Sequence, residues 1–327
     1  MGGGVRWLVP GLVAAALTTA GCDDLLQAGR AAFAPSPADS VAAVAAAAEE
    51  AEADGGAARA GRRDRPPAEL LGRPAWEGTR SAIADDLQSI FEDEGVEGVI
   101  VVHDLRSGAT LRSDEARAGR RATPASTFKI LHALIALETG VVAGASDTIR
   151  WDGVDRGSDG WNRDHDLRSA FRTSAVWYFQ ELARRIGPER MEGWVRRAGY
   201  GNADVSGPID AFWLEGPLAI SPDEQIGFLR RLRAGHLPFS TRSMDVARDL
   251  MVLERSDDWT LRGKTGWARE GLVDDVWFVG WVDRGEETAF FVIEFENRNP
   301  NRDVGTMRER IYKRALTQLG LVSAQGR

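Results

Sequence analysis

The chain has 327 residues, 43% of them hydrophobic and 28% charged, the balance of an ordinary globular protein rather than a collagen-like, coiled-coil or wholly disordered one. Its 41 basic and 49 acidic residues leave a net charge of −8, which argues against a phosphate backbone as partner, so no nucleic acid is expected. One cysteine cannot form an internal disulfide, and with only four histidines beside it the composition speaks against a zinc framework, so no metal is expected.

Met1–Arg6 carries one positive charge, Trp7–Ala20 is apolar, and Gly21-Cys22-Asp23-Asp24 follows. This is the three-part form of a secretory signal, with an apolar run shorter than the roughly 20 residues of a spanning helix. Cys22, directly after Thr19-Ala20-Gly21, resembles a bacterial lipoprotein cleavage site, although Thr19 stands where such sites usually have Leu. The resemblance implies that residues 1–21 are removed, that Cys22 is lipidated, and that the mature chain is exported to the periplasm and held at a membrane by that anchor alone. The plainer alternative is an ordinary signal cleaved at small residues, with Cys22 incidental. Residues 22–75 are rich in Ala, Gly, Pro and charged side chains. Ser40 could cap an alanine helix through Ala53, but no apolar stripe is present to dock it, and Arg62-Arg63-Asp64-Arg65-Pro66-Pro67 reads as solvated linker. The segment is expected to be a flexible tether.

Residues 76–327 carry the regular patterns. Ile83, Leu87, Ile90 and Phe91 lie on one face of a helix predicted over Thr79–Glu94. Gly98–Leu105 and Ala109–Arg112, joined at Ser107-Gly108, read as a hairpin. From Pro124 to about Leu253 the pattern is mostly helical. Strand-like runs return at Trp259–Thr265, Asp275–Asp283 and Thr288–Glu296, and a last helix is predicted over Val304–Leu319. The sheet must therefore draw strands from both ends of the domain around a helical insert, in one α/β unit of about 250 residues. Ser221-Pro222-Asp223-Glu224 has the form of a capping box opening a helix.

The chemistry-bearing segment is Thr123-Pro124-Ala125-Ser126-Thr127-Phe128-Lys129. Pro124 suits a first helical turn with Thr123 as cap, which puts Ser126 at the helix N-terminus and Lys129 on the same face three residues on. The helix that follows is apolar almost all round and so is expected to be buried. Burial disfavours the charged form of Lys129, and a serine beside a neutral amine is a plausible activated nucleophile. Alone, S-x-x-K is weak, because a capping serine beside a surface lysine has the same spacing. Two further motifs follow in order: Ser174-Ala175-Val176 after a helical stretch, and Lys264-Thr265-Gly266-Trp267 at the end of a strand-like run. At a sheet edge Lys264 and Thr265 would present a positive charge and a hydroxyl to an anionic substrate, and Gly266 would let it approach the backbone. No G-x-S-x-G, H-E-x-x-H, Walker loop or dinucleotide glycine fingerprint is present. His103, His132, His165 and His236 are scattered and read as packing or surface residues.

The set Ser126-Thr127-Phe128-Lys129, Ser174-Ala175-Val176, Tyr200-Gly201-Asn202, Phe212-Trp213-Leu214-Glu215-Gly216 and Lys264-Thr265-Gly266 resembles that of the class D, oxacillinase-type serine β-lactamases. The resemblance covers the chain from about Trp76 to the last helix. It implies a serine β-lactamase/D,D-peptidase-like fold, α+β in character, with a mainly antiparallel sheet flanked by helices and a helical lobe inserted. It implies hydrolysis of a small-molecule β-lactam and hence antibiotic resistance. Ser126 would form the acyl-ester, and Lys129, N-carboxylated by carbon dioxide and with no other cofactor, would be the general base. Trp213, Val176 and Leu214 would steady and wall the carbamate, and Ser174 and Lys264 would assist proton transfer. Lys264, Thr265, Gly266, Trp267 and Arg308 would bind substrate, Trp161 would stand at the cleft rim, and the backbone N–H groups of Ser126 and Trp267 would form the oxyanion hole. Two alternatives share the motifs: a β-lactam-sensing domain that keeps the acyl-ester, and a cell-wall D,D-peptidase, the latter disfavoured by Val176.

Overall fold

The computed structural model describes residues 76–322. The leader, Cys22, the tether and its alanine segment lie outside the described residues. The first described helix, α1 (Trp76–Glu94), buries Leu87, Ile90 and Phe91, three of the four residues whose spacing predicts it. The hairpin follows as β1 (Glu97–Asp104) and β2 (Thr110–Arg112), paired antiparallel with Val102 opposite Leu111. A four-residue helix, α2 (Glu115–Ala118), capped by Asp114, leads toward the Ser126 segment.

The insert contains α3 (Lys129–Glu138), the two-residue strands β3 (Thr148–Ile149) and β4 (His165–Asp166), α4 (Leu167–Arg172), α5 (Val176–Ile186) and α6 (Pro188–Ala198). It continues with α7 (Pro222–Ala234) and α8 (Thr241–Leu250). The capping box at α7 is formed as the sequence predicts, Ser221 and Glu224 each bonding the other's backbone N–H. The chain then returns to the sheet through β5 (Val252–Arg255), β6 (Thr260–Glu270), β7 (Val273–Arg284) and β8 (Glu287–Asn297), and ends on α9 (Val304–Gln318).

The main sheet has the order β2-β1-β8-β7-β6-β5 with every adjacent pair antiparallel, so the first long strand lies beside the last. Both faces are covered, and side-chain alternation assigns each residue to one of them. Val99, Val101, Val279, Trp281, Phe290 and Val292 pack against the helical insert. Ile100, Val102, Phe278, Phe291, Ile293 and Phe295 pack against α1 and α9. This is the α+β arrangement expected, with three strands longer than their patterns predict. Among the described residues no helix is long and apolar enough to cross a membrane.

Two local expectations are corrected. Thr123 does not cap a helix: Ser126 lies in a short 3₁₀ turn, Ala125–Phe128, without a side-chain cap, and α3 begins only at Lys129. The turn is entered through Ala125 at φ +49°, a left-handed conformation that costs a residue with a Cβ about 1–2 kcal/mol and that a continuous helix from Pro124 could not contain. Lys264-Thr265-Gly266 does not end its strand either, because β6 runs on to Glu270. The sheet-edge character survives for another reason. The edge strand β5 pairs with β6 only from Thr260 to Arg262, so beyond Gly263 that edge of β6 has no strand beside it among the described residues, while the Ser126 turn packs over the face at Gly266.

Candidate active site

The Ser126 turn packs directly on β6. A Cβ built on Gly266 would lie 2.9 Å from Thr127 Cγ2 and 3.1 Å from Pro124 O, so only glycine lets turn and strand approach this closely. Ser126 is 9% exposed, and its Oγ is 2.6 Å from Lys129 Nζ. The i,i+3 spacing read from the sequence thus becomes a direct hydrogen bond.

Lys129 is fully buried at the start of α3, whose residues through Leu137 are all buried. Besides Ser126 it donates to the carbonyl of Ser174 at 3.0 Å, and its Nζ is 5.5 Å from the centre of the Phe179 ring. Among the described residues no carboxylate balances it, and burial pulls its pKa from 10.5 down to about 7, so much of the amine is neutral near pH 7. Ser174 sits just before α5 at φ +58°, a strained conformation for a non-glycine residue. Its hydroxyl accepts from Lys264 Nζ at 2.7 Å while its carbonyl accepts from Lys129. Lys264 is also buried and its pKa is held well below the ordinary lysine value, by burial first and then by the charges of Lys129 and Arg308. The fold therefore gathers Ser126, Lys129, Ser174 and Lys264 into one chain of contacts.

Trp213 and Leu214 are buried, and Val176, the first residue of α5, is half-buried. The Trp213 ring stacks on Phe128, with centroids 5.8 Å apart, and its indole Nε1 is buried without a hydrogen-bond partner among the described residues. Arg308 is buried on α9, near enough for its charge to act on Lys264. Thr265 is buried, with its carbonyl accepting from Lys264 Nζ at 3.1 Å. Trp267 is half-buried and oriented by Asp274, whose carboxylate accepts from its Nε1 at 2.9 Å. Trp161 is 7% exposed and packs within the core of the insert, and its Nε1 donates to the carbonyl of Thr173 at 2.9 Å. That bond props the residue preceding Ser174.

One histidine read from the sequence as a packing residue proves to pack directly beside this group. His132, one turn along α3 from Lys129, is fully buried with both ring nitrogens unpartnered among the described residues. Its ring meets Trp213 edge-on at 5.2 Å and Phe179 at 5.3 Å. Burial, reinforced by Lys129, drops its pKa to about 3, so it is a neutral imidazole. The i+3 spacing from Lys129 was the available signal. His103 and His165 are buried too and His236 is exposed, and among the described residues no cluster could hold a metal ion.

Residues 98–317 match the family model for the penicillin-binding protein transpeptidase domain. The chain is 43% identical over 230 residues to β-lactamase OXA-2 of Salmonella typhimurium, covering 70% of this chain and 81% of that protein. It is 36% identical over 255 residues to β-lactamase OXA-48 of Klebsiella pneumoniae, covering 77% and 94%. Among solved structures, the class D β-lactamase YbXI from Nostoc aligns with a TM-score of 0.69 at 42% identity, over 72% of this chain and 99% of that one. With a buried serine–lysine pair at the helix start, a second lysine on the facing strand and relatives of this identity over this length, the chain belongs to the class D serine β-lactamases.

Proposed function

We propose that the protein hydrolyses the β-lactam amide of penicillin-type antibiotics through an acyl-ester on Ser126 and so confers resistance to them. The observation that carries this reading is the 2.6 Å contact between Ser126 Oγ and a lysine amine brought near neutrality by burial. Ser126 Oγ attacks the lactam carbonyl carbon, and its proton leaves on the Lys129 side. The lactam C–N bond then breaks, and the ring nitrogen takes a proton through Ser174 and Lys264, whose side chains are 2.7 Å apart. Water cleaves the ester, releasing the opened acid and restoring Ser126. The N–H groups of Ser126 and Trp267 hold the oxyanion in both steps. Lys264, Thr265 and Arg308 receive the substrate carboxylate, Gly266 serves the site by letting the Ser126 turn close onto β6 rather than by admitting substrate to its own backbone, and Trp161 keeps Ser174 in place.

The residues around Lys129 fit a carboxyl group derived from carbon dioxide on Nζ. Only a neutral amine adds carbon dioxide, and the buried indole N–H of Trp213, without a partner among the described residues, is a donor suited to the resulting anion, with Val176 and Leu214 as apolar wall. When bound, that group supplies a carbamate oxygen as general base. Export to the periplasm and a lipid anchor at Cys22 complete the reading, supported by the leader's three-part form and tested by mass spectrometry of the membrane-bound mature N-terminus.

The decisive experiment is turnover of a chromogenic cephalosporin with added bicarbonate, followed by intact-protein mass spectrometry. Many turnovers per site are expected. A single stoichiometric burst that leaves a long-lived adduct defeats the hydrolase reading in favour of a β-lactam sensor.

A further inference from the structure

The two N–H groups assigned to the oxyanion hole lie on different segments, the Ser126 turn and β6. Their separation therefore depends on what presses the turn against the strand. On the β6 side, Trp277 of β7, opposite Gly266, donates its Nε1 to Thr123 O at 2.9 Å, and Thr127 rests its methyl against the backbone of Gly266. On the far side, Thr127 is met by Gln225. The Gln225 amide Nε2 donates to Thr127 Oγ1 at 2.8 Å and to Tyr200 Oη at 3.1 Å, while Thr127 Oγ1 donates onward to Pro124 O at 2.7 Å. Gln225, Thr127 and Tyr200 are all fully buried.

Gln225 acts from a fixed base. It lies in the first turn of α7, and the residue before that helix's cap, Ile220, exchanges two backbone hydrogen bonds of 3.0 Å with Ala122. Asp223 and Glu224 of the same turn pair with Arg112 and Arg121. Packing alone does not call for an amide here: its Oε1 has no partner among the described residues, a cost an apolar side chain of equal size would avoid. Both of its N–H donors, by contrast, are used.

We infer that Gln225 is a positioning residue for the reaction: by holding Thr127, it fixes the Ser126 turn against Gly266 and thereby sets the gap between the Ser126 and Trp267 N–H groups that receive the developing oxyanion. Such donors act only within a few tenths of an ångström of 2.7–3.1 Å, so slack in the turn weakens the transition state far more than the initial complex. The inference rests on the reading of Ser126 as the nucleophile.

The test is a double-mutant cycle on Gln225→Met and Thr127→Val, both close to isosteric, in the full chain. Rapid-mixing kinetics with a chromogenic cephalosporin separate the acylation rate constant from the dissociation constant of the initial complex. Each single variant is expected to lose about tenfold in the acylation rate constant with the dissociation constant within about twofold of native. In the Thr127→Val background, Gln225→Met is expected to add nothing further. Acylation within twofold of native in both single variants, effects that multiply in the double variant, or a loss confined to initial binding would each overturn the inference. Should Gln225→Met not fold, Thr127→Val alone reads the same bond from its other end. Peptide mapping of the native acyl adduct separates the two readings. An adduct away from Ser126 overturns the site assignment and the inference with it, whereas an adduct on Ser126 with unimpaired variants overturns only the role of Gln225.

Discussion

Lys129 and Lys264 reach Ser174 from two sides, one donating to its carbonyl at 3.0 Å and the other to its hydroxyl at 2.7 Å. Both acceptors are presented by a single strained residue, at φ +58°. Backbone strain of this kind persists where the surrounding contacts over-determine it, and here the contacts are the two lysines of the site.

Ser174→Ala and Ser174→Gly both remove the hydroxyl and keep the carbonyl, and only the glycine relieves the strain. Both are expected to lose kcat/KM by about 10²-fold, as for an interrupted proton path. The glycine variant is expected to be more stable than the alanine variant by about 1 kcal/mol in urea unfolding. Equal stabilities would mean that the backbone at 174 is unstrained.

The pH profile reports Lys129. Its amine must be neutral to take up carbon dioxide or to accept a proton, and burial places that change at about 7. With dissolved carbon dioxide held constant, kcat/KM is expected to level off at alkaline pH and to fall about tenfold per unit on the acid side of 7. A flat profile down to pH 5 would remove the neutral amine from the mechanism.

His132 gives the fold an acid liability. Unfolded, its imidazole takes up a proton near the ordinary 6.5, whereas in the folded protein it resists until about 3. Between those values the unfolded state binds more protons, so stability falls as pH drops, by about 2 kcal/mol at pH 5. His132→Phe, which keeps an aromatic ring against Trp213 and Phe179, is expected to shrink the difference between urea midpoints at pH 7 and pH 5. An unchanged difference would mean that this imidazole is protonated in the native protein.

A buried ion pair ties the segment leading to Ser126 onto the sheet. Arg117 of α2 donates to both carboxylate oxygens of Glu294 on β8, at 2.7 and 2.8 Å, with both side chains buried. Glu294→Ala leaves the guanidinium without its main partner, and the expected loss is about 3–5 kcal/mol. Arg196→Ala removes the exposed pairing with Glu192 on α6 and is expected to change stability by less than about 1 kcal/mol. Comparable losses from the two variants, measured by chemical denaturation, would contradict the difference in burial.

The parts of the site legible in the sequence are those set by local spacing. Ser126 and Lys129 meet because they are three residues apart, and the apolar run after Lys129 reports its burial. The capping box at Ser221 is equally local. What escaped reading depends on distant partners. The extension of β6 past Gly266 is decided by its pairing with β7, and β5 is too short and too near α8 to show alternation of its own. The left-handed Ala125, which replaces the expected helical cap at Thr123, is imposed by the packing of the turn on β6 and is encoded by no unusual residue type. No local spacing singles out Gln225 or Glu294. Only the fold brings Thr127 and Arg117 to them.

The placement of β1 beside β8 has a consequence for the order of folding. The first long strand finds its main partner in the last one, with the whole helical insert between them in the chain. Until β8 has been synthesised, β1 holds only the three-residue β2 and keeps its other edge bare, so the sheet cannot close progressively from the N-terminus. The Ser126 turn leans on β6, itself one of the last strands, so the active site assembles in the same late event that completes the sheet.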